Sequence, residues 1–297
     1  MKGSENKLLL TGGTGFLGSN LLRRLISDRR EVILLKRRTS LTTRIDGLLP
    51  SVTALNIEDV ELEKVFSDHK IETVIHCATD YGRKNVEPTQ LIEANLILPL
   101  KLIQLASKYG TKTFVSTDTI LDKGVSQYSL SKKQFLDWLH AFSNRLTCIN
   151  VALEHFYGPG DDPTKFVSNM IGLILDQVPV IDLTAGEQMR DFIHIDDVVS
   201  AFMLILKESE NLGCGFSSFE VGTGENISIH DLVVMIRELS GNTQTHLNFG
   251  ALPYRSNEMM ESRVKLENLK RLSWRSMTSV RDGLRSVIEM EKERLKK

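Results

Sequence analysis

Lys7-Leu-Leu-Leu-Thr-Gly-Gly-Thr-Gly-Phe-Leu-Gly18 decides how this chain folds. An apolar run ends at Leu10, glycines follow, and Leu21, Leu22, Leu25 and Ile26 then recur at helical spacing. The stretch reads as a strand, a tight turn and a helix beginning near Ser19. The first turn of such a helix has amides without intrahelical partners and carries partial positive charge, which suits a pyrophosphate. Gly12, Gly15 and Gly18 let the chain turn, let a phosphate approach the backbone and let the helix pack on the strand. Their spacing is Gly-x-x-Gly-x-x-Gly, not Gly-x-Gly-x-x-Gly, so the weight comes from their place between strand and helix. Gly12, Gly15, Phe16, Leu17 and Gly18 are the residues expected to hold a dinucleotide.

The next strand, Val32–Leu35, is followed by Lys36-Arg37-Arg38-Thr39-Ser40. Chains that bind NAD usually place an acid here for the ribose 2′-hydroxyl. An acid would repel a 2′-phosphate, whereas guanidinium groups fork onto one. Arg37 and Arg38 therefore predict NADPH/NADP rather than NAD.

Further strands are expected at Thr73–His76, Thr113–Ser116 and Cys148–Leu153, with helices at Leu17–Ser27, Leu62–Asp68, Thr89–Lys108 and Lys132–Asn144. This alternation predicts an α/β fold, a Rossmann-type doubly wound parallel sheet with helices on both faces. The strand tips would face the crevice where ligands bind. After about residue 155 the pattern loosens. The loop Tyr157-Gly-Pro-Gly-Asp-Asp-Pro163 leads to a helix at Phe166–Leu175, and Arg190–Ile195 opens another at Asp196–Leu206. The expected division is a dinucleotide domain of residues 1–155 plus about 193–215, and a smaller C-terminal α/β substrate-binding domain of residues 156–192 and 216–297.

Tyr128-Ser-Leu-Ser-Lys132 puts a phenol and an ammonium one helical turn apart. A phenol has a pKa near 10, and a neighbouring ammonium lowers it. Tyr128 so tuned gives a proton to a carbonyl oxygen as hydride reaches its carbon, or removes one in reverse. Thr117, just past the strand, is expected to hydrogen-bond the same oxygen. Ser116 is a rival, because alternation does not decide where a turn begins.

The composition is that of an ordinary water-soluble chain: 297 residues, 41% hydrophobic, 25% charged, net charge −1. It argues against general nucleic-acid or membrane binding. No apolar run approaches the ~20 residues that span a bilayer. The start lacks a signal-peptide core. Cys77, Cys148 and Cys214 are widely spaced, suit a reducing cytoplasm and form no metal pattern. Bland roles are expected elsewhere: structural for His76, packing or capping for His194, core for Trp274, solvated loop or helix cap for Asp161-Asp162, and a fraying end for Lys292–Lys297.

With these motifs assembled, the sequence resembles the extended short-chain dehydrogenase/reductases, the NAD-dependent epimerase/dehydratase family. The residues that carry the resemblance are Thr11–Gly18, Tyr128-x-x-x-Lys132, Tyr157-Gly-Pro159, Arg190–Val198, Asn95 and Gly222-Thr-Gly224. Leu153–Asp161, Gly186–Phe192, Asp80-Tyr-Gly-Arg83 and Asn257-Glu-Met259 are most similar to its branch of NADPH-dependent 4-ketosugar reductases. That branch acts on CDP-4-dehydro-3,6-dideoxy-D-glucose in making O-antigen sugars. The resemblance implies Ala78 near the adenosine ribose, Thr117, Tyr128 and Lys132 as the catalytic set, and Lys132 also on the nicotinamide ribose. It implies substrate contacts from Thr79, Arg83, Asp118, Glu154, His155, Lys165, Phe166, Arg190, Arg255 and Glu258. It implies a homodimer formed through helices near Leu91–Ala106 and Phe135–Leu146. Sugar 4,6-dehydratases of this family carry Asp-Glu after the catalytic threonine; Asp118-Thr119 stands here, which disfavours dehydration. The interval from Thr117 to Tyr128 is also shorter than in typical epimerases. Two other readings compete with a reductase: an epimerase that keeps NAD bound, and a non-catalytic dinucleotide sensor.

Overall fold

The computed structural model describes residues 7–82 and 86–296. The chain opens with β1 (Lys7–Thr11), α1 (Phe16–Ser27), β2 (Val32–Lys36), β3 (Thr53–Asn56), α2 (Leu62–Asp68) and β4 (Ile71–His76). Then α3 (Pro88–Ile92), a π-turn (Glu93–Ile97) and α4 (Leu98–Lys108) run as one helix into β5 (Thr113–Thr119), α5 (Gln127–Ala141) and β6 (Thr147–Leu153). Next come β7 (His155–Tyr157), α6 (Phe166–Leu175), β8 (Val180–Leu183), β9 (Met189–His194), α7 (Ile195–Ser209) and β10 (Gly215–Val221). β11 (Asn226–Ser228), α8 (Ile229–Ser240), β12 (His246–Phe249), α9 (Glu267–Arg271) and α10 (Val280–Leu295) complete the chain.

These elements form two compact units, Met1–Ala152 with Ala201–Phe219, and Leu153–Ser200 with Glu220–Lys297. In the first, a seven-stranded sheet runs β10-β6-β5-β4-β1-β2-β3. The neighbours β3, β2, β1, β4 and β5 pair in parallel, with Leu10 opposite both Leu34 and Ile75. Because helices cover both faces, the central strands are continuous apolar runs rather than alternating ones. Leu9, Ile33, Val74, Phe114 and Cys148 meet Leu102, Ile103, Phe135 and Leu139 in one core. Strand order reverses at β1, with β2 on one side and β4 on the other. That reversal opens a crevice at their C-terminal ends.

In the second unit β11-β9-β7 form one small sheet and β12-β8 another. Their core is built from Ile171, Ile174, Ile181, Phe192, Leu232, Ile236, Leu284 and Ile288. Tyr157 is buried here; its hydroxyl donates to the Val280 carbonyl at 3.1 Å, and a side chain at Gly283 would strike its ring. Asp197 accepts the Met277 and Thr278 amides, both at 2.9 Å, and the Trp274 indole donates to Ser200 at 2.9 Å.

The alternation predicts the fold class, but several elements differ from expectation. α1 starts at Phe16 with Gly15 as its N-cap, not near Ser19. β3 went unread because Thr53–Asn56 is a short, half-exposed edge strand without an apolar run. Met189–His194 is a strand rather than the lead-in to a helix. The long helix carries a π-turn ending just before Pro99-containing α4: Pro99 lacks the amide that would bond the Asn95 carbonyl, and its ring crowds that carbonyl. Asp161 is buried against Lys165 at 3.0 Å rather than solvated, and the α6 N-cap is Lys165. Lys292 does not fray; its ammonium donates to the Ser240 carbonyl at the end of α8. Among the described residues no helix is long and apolar enough to cross a membrane.

Candidate functional site

In the first unit, Gly12 has φ +72, and a Cβ there would strike the backbone of Cys77 and Ala78 at the tip of β4. A Cβ on Gly18 would strike the Gly12 carbonyl, so helix and turn close on each other only through glycine. The Gly15 amide donates to the Gly12 carbonyl at 2.9 Å, and α1 begins one residue later. The first turn thus contains Leu17 and Gly18, where amides have no earlier helical carbonyl to meet. Thr11 ties this turn to β4: its hydroxyl accepts the Ala78 amide at 3.3 Å and lies 2.9 Å from His76 Nδ1. His76 is fully buried, and burial keeps its ring neutral, in agreement with a structural role.

The basic run after β2 is not the uncompensated patch its sequence implies. The Arg38 guanidinium pairs with Asp59, and its amide donates to Glu58 at 2.9 Å. Lys36 donates to Asn56 at 2.6 Å. Arg37 is exposed. Glu58 and Asp59 lie just past β3, the strand that went unread, so their approach to Arg38 was invisible.

Tyr128 and Lys132 stand on α5, which begins at Gln127 rather than Lys132 because Ser126 and Ser129 form a reciprocal capping box. Tyr128 and Lys132 therefore both lie in its first turns. Lys132 is 3% exposed, and its ammonium has no hydrogen-bond partner among the described residues. Burial lowers its pKa to about 8, against the raising effect of Asp118 and Cys77. Tyr128 departs from expectation. Burial first, then Tyr81 and Asp118, push its phenol above the ordinary value, and only a hydrogen bond with Thr119 pulls it down. Lys132 is not among the groups that shift the phenol, so the expected lowering is not seen.

β5 runs to Thr119, so Thr117 lies inside a strand and not past its end. Period-two alternation puts Thr117 and Thr119 on one face and Ser116 on the other, which favours Thr117 over its rival. The Thr117 hydroxyl donates to the His76 carbonyl at 3.2 Å. Asp118, expected at the substrate, is turned inward instead. Lys133 donates to it at 2.8 Å and Asn150 at 3.3 Å, and its other oxygen accepts the Thr119 amide at 2.7 Å. Lys133 also donates to the Thr119 carbonyl at 2.7 Å. A buried carboxylate needs these partners, and they occupy it.

The loop after β4 is held by Asn95, which the π-turn aims inward. Its side-chain oxygen accepts the Thr79 hydroxyl at 3.1 Å and the Asp80 amide at 2.8 Å. Its amide group donates to the Asp80 carbonyl at 2.7 Å and to Ser131 at 3.0 Å. Tyr81 follows, with its ring centroid 5.1 Å from that of Tyr128. Arg83 lies outside the described residues.

Within the second unit the expected substrate residues fall into small groups. Glu154 is buried, accepts the Ser262 hydroxyl and meets exposed His155 at 3.1 Å. Lys165 pairs with Asp161 and lies 4.3 Å over the Phe156 ring, while Phe166 is exposed. Arg190 pairs with Glu258 at 2.6 Å and donates to the Met189 carbonyl at 2.9 Å. Two residues both expected to contact substrate thus contact each other. Arg255 is exposed, and its carbonyl accepts the Glu258 amide at 3.0 Å. The Gly222-Thr-Gly224 motif is explained by Asp191, which accepts the Thr223 and Gly224 amides at 2.9 and 2.7 Å; a Cβ on Gly222 would meet that carboxylate. Among the described residues no cluster of His, Cys, Asp and Glu could hold a metal ion.

Thr119, Lys133, Asn150 and Tyr81 are the residues sequence reasoning missed. Lys133 follows Lys132 directly and Tyr81 lies inside a quoted motif, but their partners come from distant segments.

Residues 8–222 match the NAD dependent epimerase/dehydratase family model. The chain is 34% identical over 296 residues to a CDP-abequose synthase of Salmonella muenchen, with 97% of this chain and 98% of that protein covered. In structure it is similar to a UDP-glucose 4-epimerase of Thermotoga maritima solved with UDP-glucose (TM-score 0.84, 24% identity, 97% and 99% covered). It is also similar to MoeE5 in complex with UDP-glucuronic acid and NAD (TM-score 0.83, 23% identity, 97% and 100% covered).

Proposed function

The chain belongs to the NAD dependent epimerase/dehydratase family and is an NAD(P)-dependent enzyme of nucleotide-sugar chemistry, and we propose that it is an NADPH-dependent 4-ketoreductase of a nucleotide-linked deoxysugar. Its substrate is CDP-4-dehydro-3,6-dideoxy-D-glucose, reduced to CDP-abequose or CDP-paratose for O-antigen. The CDP-abequose synthase at 34% identity across nearly the whole chain supports that substrate class. The same relative carries the direction, because a phenol beside a buried ammonium serves ketone reduction and its reverse alike.

The residues present fit a dinucleotide. Gly12 and Gly18 keep backbone clear where any side chain would intrude, and the buried Lys132 ammonium has no partner among the described residues. Gly15, Phe16, Leu17 and Ala78 complete the cradle, and exposed Arg37, more than Arg38, meets a 2′-phosphate. When bound, a nicotinamide coenzyme would supply the hydride that a carbonyl carbon receives. Tyr128 gives its phenolic proton to the carbonyl oxygen, and Thr117 donates a hydrogen bond to the same oxygen. Lys132 is the cation one helical turn from the phenolate left behind, and its ammonium would take ribose hydroxyls as partners. Thr119 orients the Tyr128 hydroxyl. Lys165 and Arg190 carry the charge a diphosphate needs, and phosphate oxygens compete with Asp161 and Glu258 for them. Glu154, His155, Thr79, Phe166, Arg255 and Glu258 remain residues for the sugar and nucleotide, whereas Asp118 acts through β5. We place the enzyme in the cytoplasm as a homodimer; Ile92, Leu130 and Trp138, exposed on α3 and α5, suit a helical interface.

One observation favours a second reading. Glu58 and Asp59 offset Arg38, which suits NAD and hence an epimerase. The test is loss of reduced-coenzyme absorbance with CDP-, dTDP- and UDP-linked 4-ketosugars, using Tyr128→Phe as control. Turnover of the CDP-linked deoxysugar alone, lost in the variant, supports the reductase. No turnover with any of them, with NAD carried through purification, replaces it by the epimerase.

A further inference from the structure

Tyr81 is an expensive residue to hold where it is. Asn95 is fully buried and makes four hydrogen bonds, three of them to Thr79 and Asp80 immediately before Tyr81. Behind Tyr81, the Gly82 amide donates to the Asp80 carboxylate at 2.8 Å. Gly82 itself has φ +66, and a Cβ there would come within 2.8 Å of Leu91. The fourth Asn95 bond reaches Ser131, whose hydroxyl donates to the Tyr128 carbonyl at 2.7 Å. One network thus fixes both the loop that carries Tyr81 and the helical turn that carries Tyr128 and Lys132. Yet Tyr81 stays 41% exposed, so core packing does not account for it. What the network achieves is to seat the Tyr81 ring against the Tyr128 ring, at 5.1 Å between centroids and tilted by 43°.

We propose that Tyr81 is a specificity-determining wall of the site, selecting a sugar whose carbon beside the reacting carbonyl bears no hydroxyl. The proposal rests on the reductase reading above and deepens it. A carbonyl oxygen at the Tyr128 hydroxyl brings the neighbouring ring carbon toward the aromatic surface that flanks Tyr128. That surface packs well against a methylene. The ring faces offer a hydroxyl no partner in place of the water it loses. An apolar wall of this kind discriminates against an added hydroxyl by up to roughly 100-fold and not more.

The test compares CDP-4-dehydro-3,6-dideoxyglucose with CDP-4-dehydro-6-deoxyglucose, which differs by the 3-hydroxyl. The wild type is expected to favour the dideoxy sugar in kcat/KM by roughly 10- to 100-fold. Tyr81→Ser brings the ratio close to one, mainly by raising KM for the dideoxy sugar, whereas Tyr81→Phe keeps the ratio because the ring does the selecting. Calorimetric binding of both sugars to the NADP-loaded Tyr128→Phe protein gives the same preference without turnover. An unchanged ratio in Tyr81→Ser, or a lost one in Tyr81→Phe, overturns the proposal while leaving the reductase standing. A wild type that reduces neither sugar removes the reductase reading and this proposal with it.

Discussion

Replacing Lys132 by methionine keeps the side chain's length, removes its charge and stabilises the ligand-free protein near neutral pH. Burial lowers the Lys132 ammonium from 10.5 to about 8. That fall corresponds to at most about 3.5 kcal/mol, at ~1.4 kcal/mol for each tenfold change in proton affinity. Its buried donors also have no partner among the described residues, a cost of the same sign. Between the folded value near 8 and the unfolded value of 10.5, the unfolded chain binds more protons than the folded one. Wild-type stability therefore rises with pH through that window, and the penalty is fully present below it. Methionine has no proton to lose, so this contribution to the slope disappears in the variant. Urea unfolding near neutral pH and again near about pH 10 measures both effects. The variant should be the more stable by roughly 1–3 kcal/mol at neutral pH, with the gap closing at high pH. Saturating NADP should also narrow it, by supplying partners to the wild-type ammonium alone. A variant no more stable than wild type at neutral pH, or a wild type flat across the window, refutes the reasoning.

Tyr128→Phe removes the proton donor and should lower kcat by roughly 100- to 10,000-fold, with NADPH affinity retained in a fluorescence titration. Gly18→Ala drives a methyl into the Gly12 carbonyl; it should cost about 1–3 kcal/mol in urea unfolding and weaken coenzyme binding in the same titration. Arg37→Ala should reduce kcat/KM for NADPH by roughly tenfold or more and leave NADH unaffected. Arg38→Ala should do less than Arg37→Ala, because Asp59 already holds that guanidinium.

The glycine turn, the parallel sheet and the Tyr128/Lys132 pair are legible in sequence because each is local. Apolar runs mark buried parallel strands, and i,i+4 spacing fixes the pair on one helix face. Boundaries were misjudged where a polar residue continued an element. Thr117, Asp118 and Thr119 extend β5 because the strand is buried and its polar groups find partners, and Ser126 starts α5 early by capping it. The partners themselves were illegible. Asp59 reaches Arg38 from beyond an unread edge strand, Glu258 reaches Arg190 across 68 residues, and Lys133 claims Asp118. A sequence presents the cations as available; only the fold reveals the carboxylates beside them. The sign of the Tyr128 perturbation was misread for a related reason. Spacing places Tyr128 one turn from Lys132 but conveys neither the burial nor the Tyr81 and Asp118 neighbours that raise the phenol.

The central claim is that this chain reduces the C4 carbonyl of a CDP-linked dideoxysugar with NADPH. The most direct measurement follows the isotope, using NADPH deuterated at the nicotinamide C4 on the transferred face and NMR of the product sugar. The account predicts one deuterium at sugar C4 for each NADPH consumed, a single C4 configuration, and none of this with Tyr128→Phe. Interconversion of C4 epimers with no net coenzyme consumption and no deuterium in the sugar would contradict it.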